Sequence, residues 1–155
     1  MLNRRLRARV RSERGAEIIE FAMVTPIFAL LIAAMFDFGF LFRNWEIVTN
    51  AAREGARVGV LPSYSCAATS VDIKDRVDAY MAGSGISKTA SPYTVSPQVT
   101  TVTTAAGTFS ACVVKISMTQ TLPVLKVFTT WFGGNLANIN LQAAAVMRTE
   151  TQAAN

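Results

Sequence analysis

The chain has 155 residues, the size of a single domain, and 51% of them are hydrophobic while only 16% are charged. Soluble domains carry roughly 25% charged residues, so this composition excludes a disordered tail or a coiled-coil rod and indicates a membrane segment. The net charge is +5 and histidine is absent, which excludes a Ser-His-Asp triad, a Cys-His pair and an imidazole metal site.

The whole positive excess lies in residues 1–15, which contain six arginines and one glutamate. Residues 16–155 contain nine basic and nine acidic side chains. A nucleic-acid-binding domain spreads its basic residues over a folded face that neutralises several phosphates, so we expect no nucleic-acid partner. Residues 1–15 are instead predicted to be a removable or membrane-flanking tail.

An apolar run follows the arginines and extends from Phe21 to Phe42, with Asp37 as its one charged residue. Its length is close to the ~20 residues that cross a bilayer as a helix. Residues 16–43 are therefore predicted to be a transmembrane helix rather than the buried core helix of a soluble protein. The preceding arginines predict that the N-terminus stays in the cytoplasm. Asp37 is expected near the exported interface, where a lone acid reaches water; the alternative is a contact with a partner helix.

A secretory signal peptide is the alternative for this segment. However, the apolar run is too long for one, and residues 43–46 after it form a poor cleavage site. A cut before the run fits better, because a basic leader ends at Gly15, Ala16 follows, and Glu20 lies five residues past the glycine. This order of residues resembles a type IV prepilin processing site.

The stretch Arg14-Gly15-Ala16-Glu17-Ile18-Ile19-Glu20-Phe21-Ala22 resembles the start of TadE-like proteins, minor pseudopilins of the Tad (Flp) pilus system. The segment 50–57 and the ending 145–150 are also similar to that family. The resemblance covers mainly residues 14–60 and the short C-terminal strip, and it does not extend to residues 62–137. It implies a single-pass inner-membrane protein with a periplasmic C-terminal domain, which is extracellular if the subunit enters the pilus.

The resemblance also implies roles for particular residues. A prepilin peptidase would cut between Gly15 and Ala16 and so remove the basic leader. Glu20, next to Phe21, would then meet the N-terminal amine of a neighbouring subunit, so that the two charges neutralise each other in an apolar environment and set the register of assembly. On the alternative interpretation, Gly15 is an ordinary helix breaker and Glu20 snorkels to the lipid headgroups.

The resemblance implies three kinds of partner, which are the prepilin peptidase, the major pilin and TadF-like or TadG-like subunits. The function it implies is assembly or priming of the pilus, which is a structure for secretion and adhesion. The runner-up is an unprocessed, membrane-anchored periplasmic scaffold or binding protein. No Gly-rich phosphate loop follows a strand, and no nucleophile elbow is present. We therefore expect no enzyme activity, no cofactor, no metal and no small-molecule substrate.

After Arg43 the helix is predicted to continue as a spine over residues 44–61, with small residues on the face that packs against the chain's own globular part. The exported residues 62–155 have the alternating patterns of a mixed domain. The first predicted element is a helix over Ser70–Met81, capped by Ser70 or Thr69, with Ile73, Val77 and Tyr80 on one face. A strand over Tyr93–Thr104 that breaks at Pro97 and lies at an edge comes next, and then a strand over Thr108–Thr121 with Cys112, Val114, Ile116 and Met118 on one face. A helix or loop over Leu122–Phe132 and a strand over Ile139–Met147 complete the domain. Together they predict an α+β, type IV pilin-like fold, in which the long N-terminal helix packs on a small antiparallel sheet.

Cys66 and Cys112 are the only cysteines, and both fall in the exported part. An even number of cysteines in an oxidising compartment favours a disulfide. This disulfide would close a loop of the chain, and on the chain-entropy model the cross-link stabilises the domain by roughly 4 kcal/mol. Two free buried thiols are the alternative.

Overall fold

One long helix organises the chain, and a helix, three strands and a second short helix follow it. The computed structural model describes residues 2–105, 107–132 and 138–149, with side chains from residue 15 onward except those of residues 128, 131 and 132. Glu150 and the side chains of the leader arginines lie outside this described part. The elements are, in chain order, α1 (Leu2–Gly59), α2 (Val71–Gly83), β1 (Tyr93–Thr104), β2 (Gly107–Thr121), α3 (Pro123–Phe132) and β3 (Asn138–Arg148). The predicted α+β fold is confirmed.

The two halves of α1 have different surroundings. Every residue from 15 to 32 is exposed. Further along, Val48, Ala51, Ala52 and Ala56 are completely buried, because this face of the helix lies on the sheet and on α2. The prediction that the second half of α1 is the spine of the chain's own domain is confirmed.

The three strands form one antiparallel sheet with β2 in the centre. Val114 of β2 lies opposite Pro97 of β1 and Ala145 of β3. Alternate residues of a strand point to one face of the sheet, and on β2 these are Cys112, Val114, Ile116 and Met118, all buried in the core. The hydrophobic alternation therefore predicted both the strand and its inward face correctly.

The predicted break at Pro97 is wrong, because β1 continues through this residue to Thr104. The predicted edge position is confirmed by the strand order. One side of an edge strand has no neighbour, so a proline there need not cost a ladder hydrogen bond.

The segment after Leu122, for which the sequence allowed either a helix or a loop, is a helix, since residues 123–132 form α3.

The short helix α2 packs on α1 and is close to its predicted bounds. Ser70 occupies the N-cap position, but its side chain makes no capping hydrogen bond. The buried face consists of Ile73, Val77 and Met81, whereas Tyr80, which the pattern placed on that face, is only half-buried.

Two glycines let α1 lie directly against its neighbours. A Cβ at Gly59 would lie 2.5 Å from Cys112 Sγ, and one at Gly55 would lie 2.7 Å from Val77 Cγ2. Cys112 is bonded to Cys66 in a disulfide with a Cα–Cα distance of 5.6 Å. Because the disulfide ties the loop after α1 to the central strand, the last turn of α1 rests on a covalently fixed point.

A polar cluster fastens α2 to the start of β1. Asp78 accepts hydrogen bonds from Lys88 Nζ and from the Tyr93 hydroxyl, each at 2.8 Å. Burial acts to raise the pKa of Asp78, but the two hydrogen bonds and the charge of Lys88 outweigh it and lower the pKa from its usual 3.8. Burial raises the pKa of Tyr93, and its bond to the Asp78 carboxylate raises it further.

This cluster predicts a pH dependence of stability. Because the pKa of Asp78 is lower in the folded chain than in the unfolded one, its stabilising contribution is present above about pH 4 and is lost as the pH falls through the folded pKa. Asp78→Asn should reduce the free energy of unfolding at pH 7 by about 0.5–1 kcal/mol, since Lys88 is half-exposed, and should flatten the loss of stability below pH 4. Chemical denaturation of the detergent-solubilised chain at a series of pH values measures both effects. Asp75→Asn on the exposed face of α2 is the control, and equal acid sensitivity of the Asp78 variant and the wild type would contradict the prediction.

Candidate functional site

The residues predicted for processing and assembly lie together on the first half of α1. Gly15, Ala16, Glu20 and Phe21 are all exposed. The helix continues through Gly15 rather than ending there, and no atom lies within 4 Å of a Cβ built on this glycine. The predicted cleavage point is therefore sterically open, and it lies within a helical turn.

The surface around Glu20 is apolar apart from Glu17, which is exposed three residues earlier. Its exposed neighbours, with 59–74% of their surface accessible, are Ile18, Ile19, Phe21, Met23 and Val24. Among the residues whose side chains the structure describes, none forms an ion pair with Glu20. A carboxylate in such surroundings needs a partner once lipid or another apolar helix covers them.

α1 is the one helix in the described part of the chain that is long and apolar enough to cross a membrane, over Gly15–Gly59. Only 6% of its most apolar 18-residue window is buried. A core helix of a soluble protein would be mostly buried, so this exposure is what a membrane anchor requires.

Two polar features of the apolar run are compatible with lipid. The Thr25 hydroxyl donates a hydrogen bond to the Phe21 carbonyl oxygen at 2.6 Å, which satisfies the hydroxyl within the helix. Pro26 lies inside α1, and the helix continues past it. Membrane helices tolerate proline where neighbouring groups satisfy the backbone, so neither residue argues against a membrane span.

The expectation that Asp37 reaches water is wrong. This side chain is only 4% exposed, and its two oxygens accept hydrogen bonds from the backbone N–H groups of Val124 (3.1 Å) and Leu125 (2.6 Å). These N–H groups belong to the first turn of α3, where a helix leaves donors without partners of its own. Asp37 therefore caps α3 from another helix, and its negative charge lies at the positive end of the α3 dipole.

A second buried polar contact lies about two helical turns further along α1, at Asn44. Asn44 Nδ2 donates a hydrogen bond to Gln120 Oε1 at 3.0 Å, and Gln120 Nε2 donates to the Thr121 carbonyl oxygen at 3.2 Å. Both side chains are more than nine-tenths buried. We call Asp37, Asn44 and Gln120, with the first turn of α3, the junction, because they fasten the apolar half of α1 to the domain.

The sequence contained a signal for the junction that our interpretation of the apolar run did not use. Asp37 and Asn44 are seven residues apart and continue to Val48, Ala51 and Gly55 at helical spacing, which places all five on one face of α1. That is the face buried against the domain. A polar residue that continues an apolar stripe in this way indicates a buried hydrogen bond.

The long apolar helix, the spine and the three-stranded sheet form an α+β arrangement consistent with a pilin-like fold. Residues 15–57 match the family model of TadE-like proteins, which confirms the resemblance of the N-terminal motifs to that family. The match covers the apolar helix and most of the spine, and the sheet lies outside it. No curated protein and no solved structure matches the chain.

Removal of the Asp37 carboxylate should release the first turn of α3. Asp37→Ala leaves the Val124 and Leu125 N–H groups without their acceptors, which costs about 1–2 kcal/mol for a lost cap. Hydrogen exchange followed by mass spectrometry, on the full chain in detergent micelles, should show faster exchange in residues 123–127. Glu46→Ala, which removes an exposed acid from the same helix, should leave that exchange unchanged. Equal protection in the Asp37 variant would show that the carboxylate does not hold α3.

Proposed function

We propose that this chain is a minor pseudopilin that takes part in assembling or priming a Tad pilus. Residues 1–15 are its leader, residues 16–43 its transmembrane helix, residues 44–61 the continuing spine and residues 62–155 its periplasmic domain. The observation that carries the proposal is the fully exposed apolar surface of α1 within the family match at residues 15–57. A surface of that kind is suited first to lipid and then to the apolar helices of other subunits.

The orientation follows from the charges. The six arginines before the apolar run keep the N-terminus in the cytoplasm, and the domain that follows α1 then lies in the periplasm. The disulfide between Cys66 and Cys112 belongs to the oxidising side of the membrane.

Processing changes the electrostatics of the subunit. A prepilin peptidase that cuts after Gly15 removes the whole excess of positive side chains and leaves nine basic and nine acidic ones. The steric openness of Gly15 supports this step, and a glycine within a helix costs about 1 kcal/mol relative to alanine, which makes local unwinding for a protease easier. The mature chain then starts at Ala16 with a free amine.

Glu20 and the new amine of a neighbouring subunit form the proposed assembly contact. The exposed carboxylate lies among apolar side chains on α1, so helix packing between subunits desolvates it. A carboxylate buried without a partner costs several kcal/mol. Pairing with an ammonium group offsets that cost and favours one register of packing, while Phe21 adds apolar contact beside it.

The alternative function is an uncut, membrane-anchored scaffold or binding protein. It uses the same apolar helix and the same periplasmic domain, but it keeps residues 1–15 throughout. The two proposals therefore differ in the mass of the N-terminus.

Co-expression with a prepilin peptidase tests the cut. The purified chain should lose residues 1–15, as read by intact mass and N-terminal sequencing, and Gly15→Leu should block the loss because a bulky side chain fills the open position. Gly39→Leu is the matched control, since this glycine is also exposed on α1 with no atom within 4 Å of its Cβ, and it should be cut normally. A wild-type chain that keeps its leader in the presence of an active peptidase would favour the scaffold.

Assembly is tested one step later, with Glu20→Ala. The variant should be cut and inserted like the wild type, but it should co-purify several-fold less with other pilin-like subunits in mild detergent, because the neighbouring amine loses its counter-charge. Glu17→Ala, three residues earlier on the same exposed turn, should co-purify normally. Equal recovery of partners with both variants would refute the pairing role of Glu20.

A further inference from the structure

We infer that α3 is a membrane-surface helix, which lies on the periplasmic leaflet beside the point where α1 leaves the bilayer. The partner of its outer face is the boundary between lipid headgroups and acyl chains. The inference rests on the proposed membrane span of α1 and adds a second contact with the same leaflet, made by a segment far away in sequence.

The depth of α3 is set by the cap. Asp37 holds the N–H groups of Val124 and Leu125, and it precedes Arg43, the first charged residue after it in α1, by six residues. Six residues correspond to about 9 Å along a helix. The first turn of α3 therefore lies beside the last part of the apolar run and not beside the spine.

The composition of α3 fits that depth. Its sequence, PVLKVFTTWF, has one charged residue, Lys126, and is otherwise apolar apart from two threonines. Leu122 is buried and the following Val124 and Leu125 are half-buried, so this side of the segment packs on the chain itself. Val127, by contrast, is 69% exposed, which leaves an apolar side chain for lipid.

The polar groups of α3 are satisfied in a way that suits lipid contact. Asp37 accepts two of the N–H groups at its N-terminus. The hydroxyls of Thr129 and Thr130 donate to the Lys126 carbonyl oxygen at 3.1 and 2.7 Å. Each internal hydrogen bond removes part of the cost of taking a polar group out of water.

Lipid is the occupant because the surface is continuous with the membrane span. α1 exposes large apolar side chains up to and past the level of Asp37, among them Phe36 at 71% and Phe38 at 69%. A bilayer that covers Phe36 and Phe38 also reaches α3, because α3 is hydrogen-bonded to α1 at Asp37, between these two residues. The amphipathic pattern, with one exposed lysine, is that of a helix lying in the interface plane.

The test uses the full chain in phosphatidylglycerol–phosphatidylethanolamine vesicles and three variants, each with one introduced cysteine that carries an environment-sensitive fluorophore. Both native cysteines are in the disulfide, so the introduced thiol is labelled alone under non-reducing conditions. Val127→Cys reports on α3, and Phe28→Cys reports on the proposed span. Val146→Cys is the matched control, because it is also an exposed valine, at 58%, but lies on β3 opposite Val113, on the face of the sheet that points away from the disulfide.

Nitroxide-labelled lipids should quench the three probes differently. The Phe28 probe should be quenched best by a deep nitroxide, and the Val127 probe several-fold more than the Val146 probe by a shallow one. If Phe28 is quenched while Val127 responds as weakly as Val146, the inference is overturned, the span stands, and a protein partner is favoured for this face. If Phe28 is not quenched either, the span and the inference both fail.

Discussion

The structure depends on α1 remaining one unbroken helix while its surroundings change. From residue 15 to residue 32 the side chains are exposed on all sides and mostly apolar, and in the second half of the helix only one face is buried. A helix satisfies its own backbone hydrogen bonds, so it can pass from one environment to the other without leaving a polar backbone group unpaired. Only the side chains have to change, and they do so between Asp37 and Val48, where the junction lies.

The domain is attached to this helix at close range. Gly55 and Gly59 bring the helix backbone against Val77 and against the disulfide sulfur of Cys112, while the junction holds the other end of the contact through hydrogen bonds. Directional bonds at one end and tight packing at the other fix both the rotation and the position of the domain on α1. The proposed assembly through α1 needs this rigidity, because the helix register would then determine where the domain lies.

Sequence patterns predicted the parts of this fold that depend on local periodicity. The alternation from Cys112 to Met118 identified the central strand and its inward face, and the long apolar run identified α1. The role of Asp37 was not predictable in the same way, because its partners are 87 and 88 residues away and periodicity gives the face of a helix but not what covers it. α3 is too short and too apolar for its period to separate helix from loop. Gly15 and Glu20 were recognised from a motif alone, since the groups they are proposed to meet belong to other molecules.

The junction also explains how an acid is tolerated within the apolar run. A carboxylate at the centre of a membrane helix costs roughly 2.5 kcal/mol or more, and less near its end. Two hydrogen bonds from N–H groups to a charged acceptor each contribute about 1.5–3 kcal/mol, and the α3 dipole adds attraction at the same place. The acid and the short helix thus depend on each other, since Asp37 has no acceptable partner at that depth without α3, and α3 has unsatisfied donors there without Asp37. This mutual dependence gives a physical reason for a charged residue in the apolar run and for an apolar helix between the last two strands.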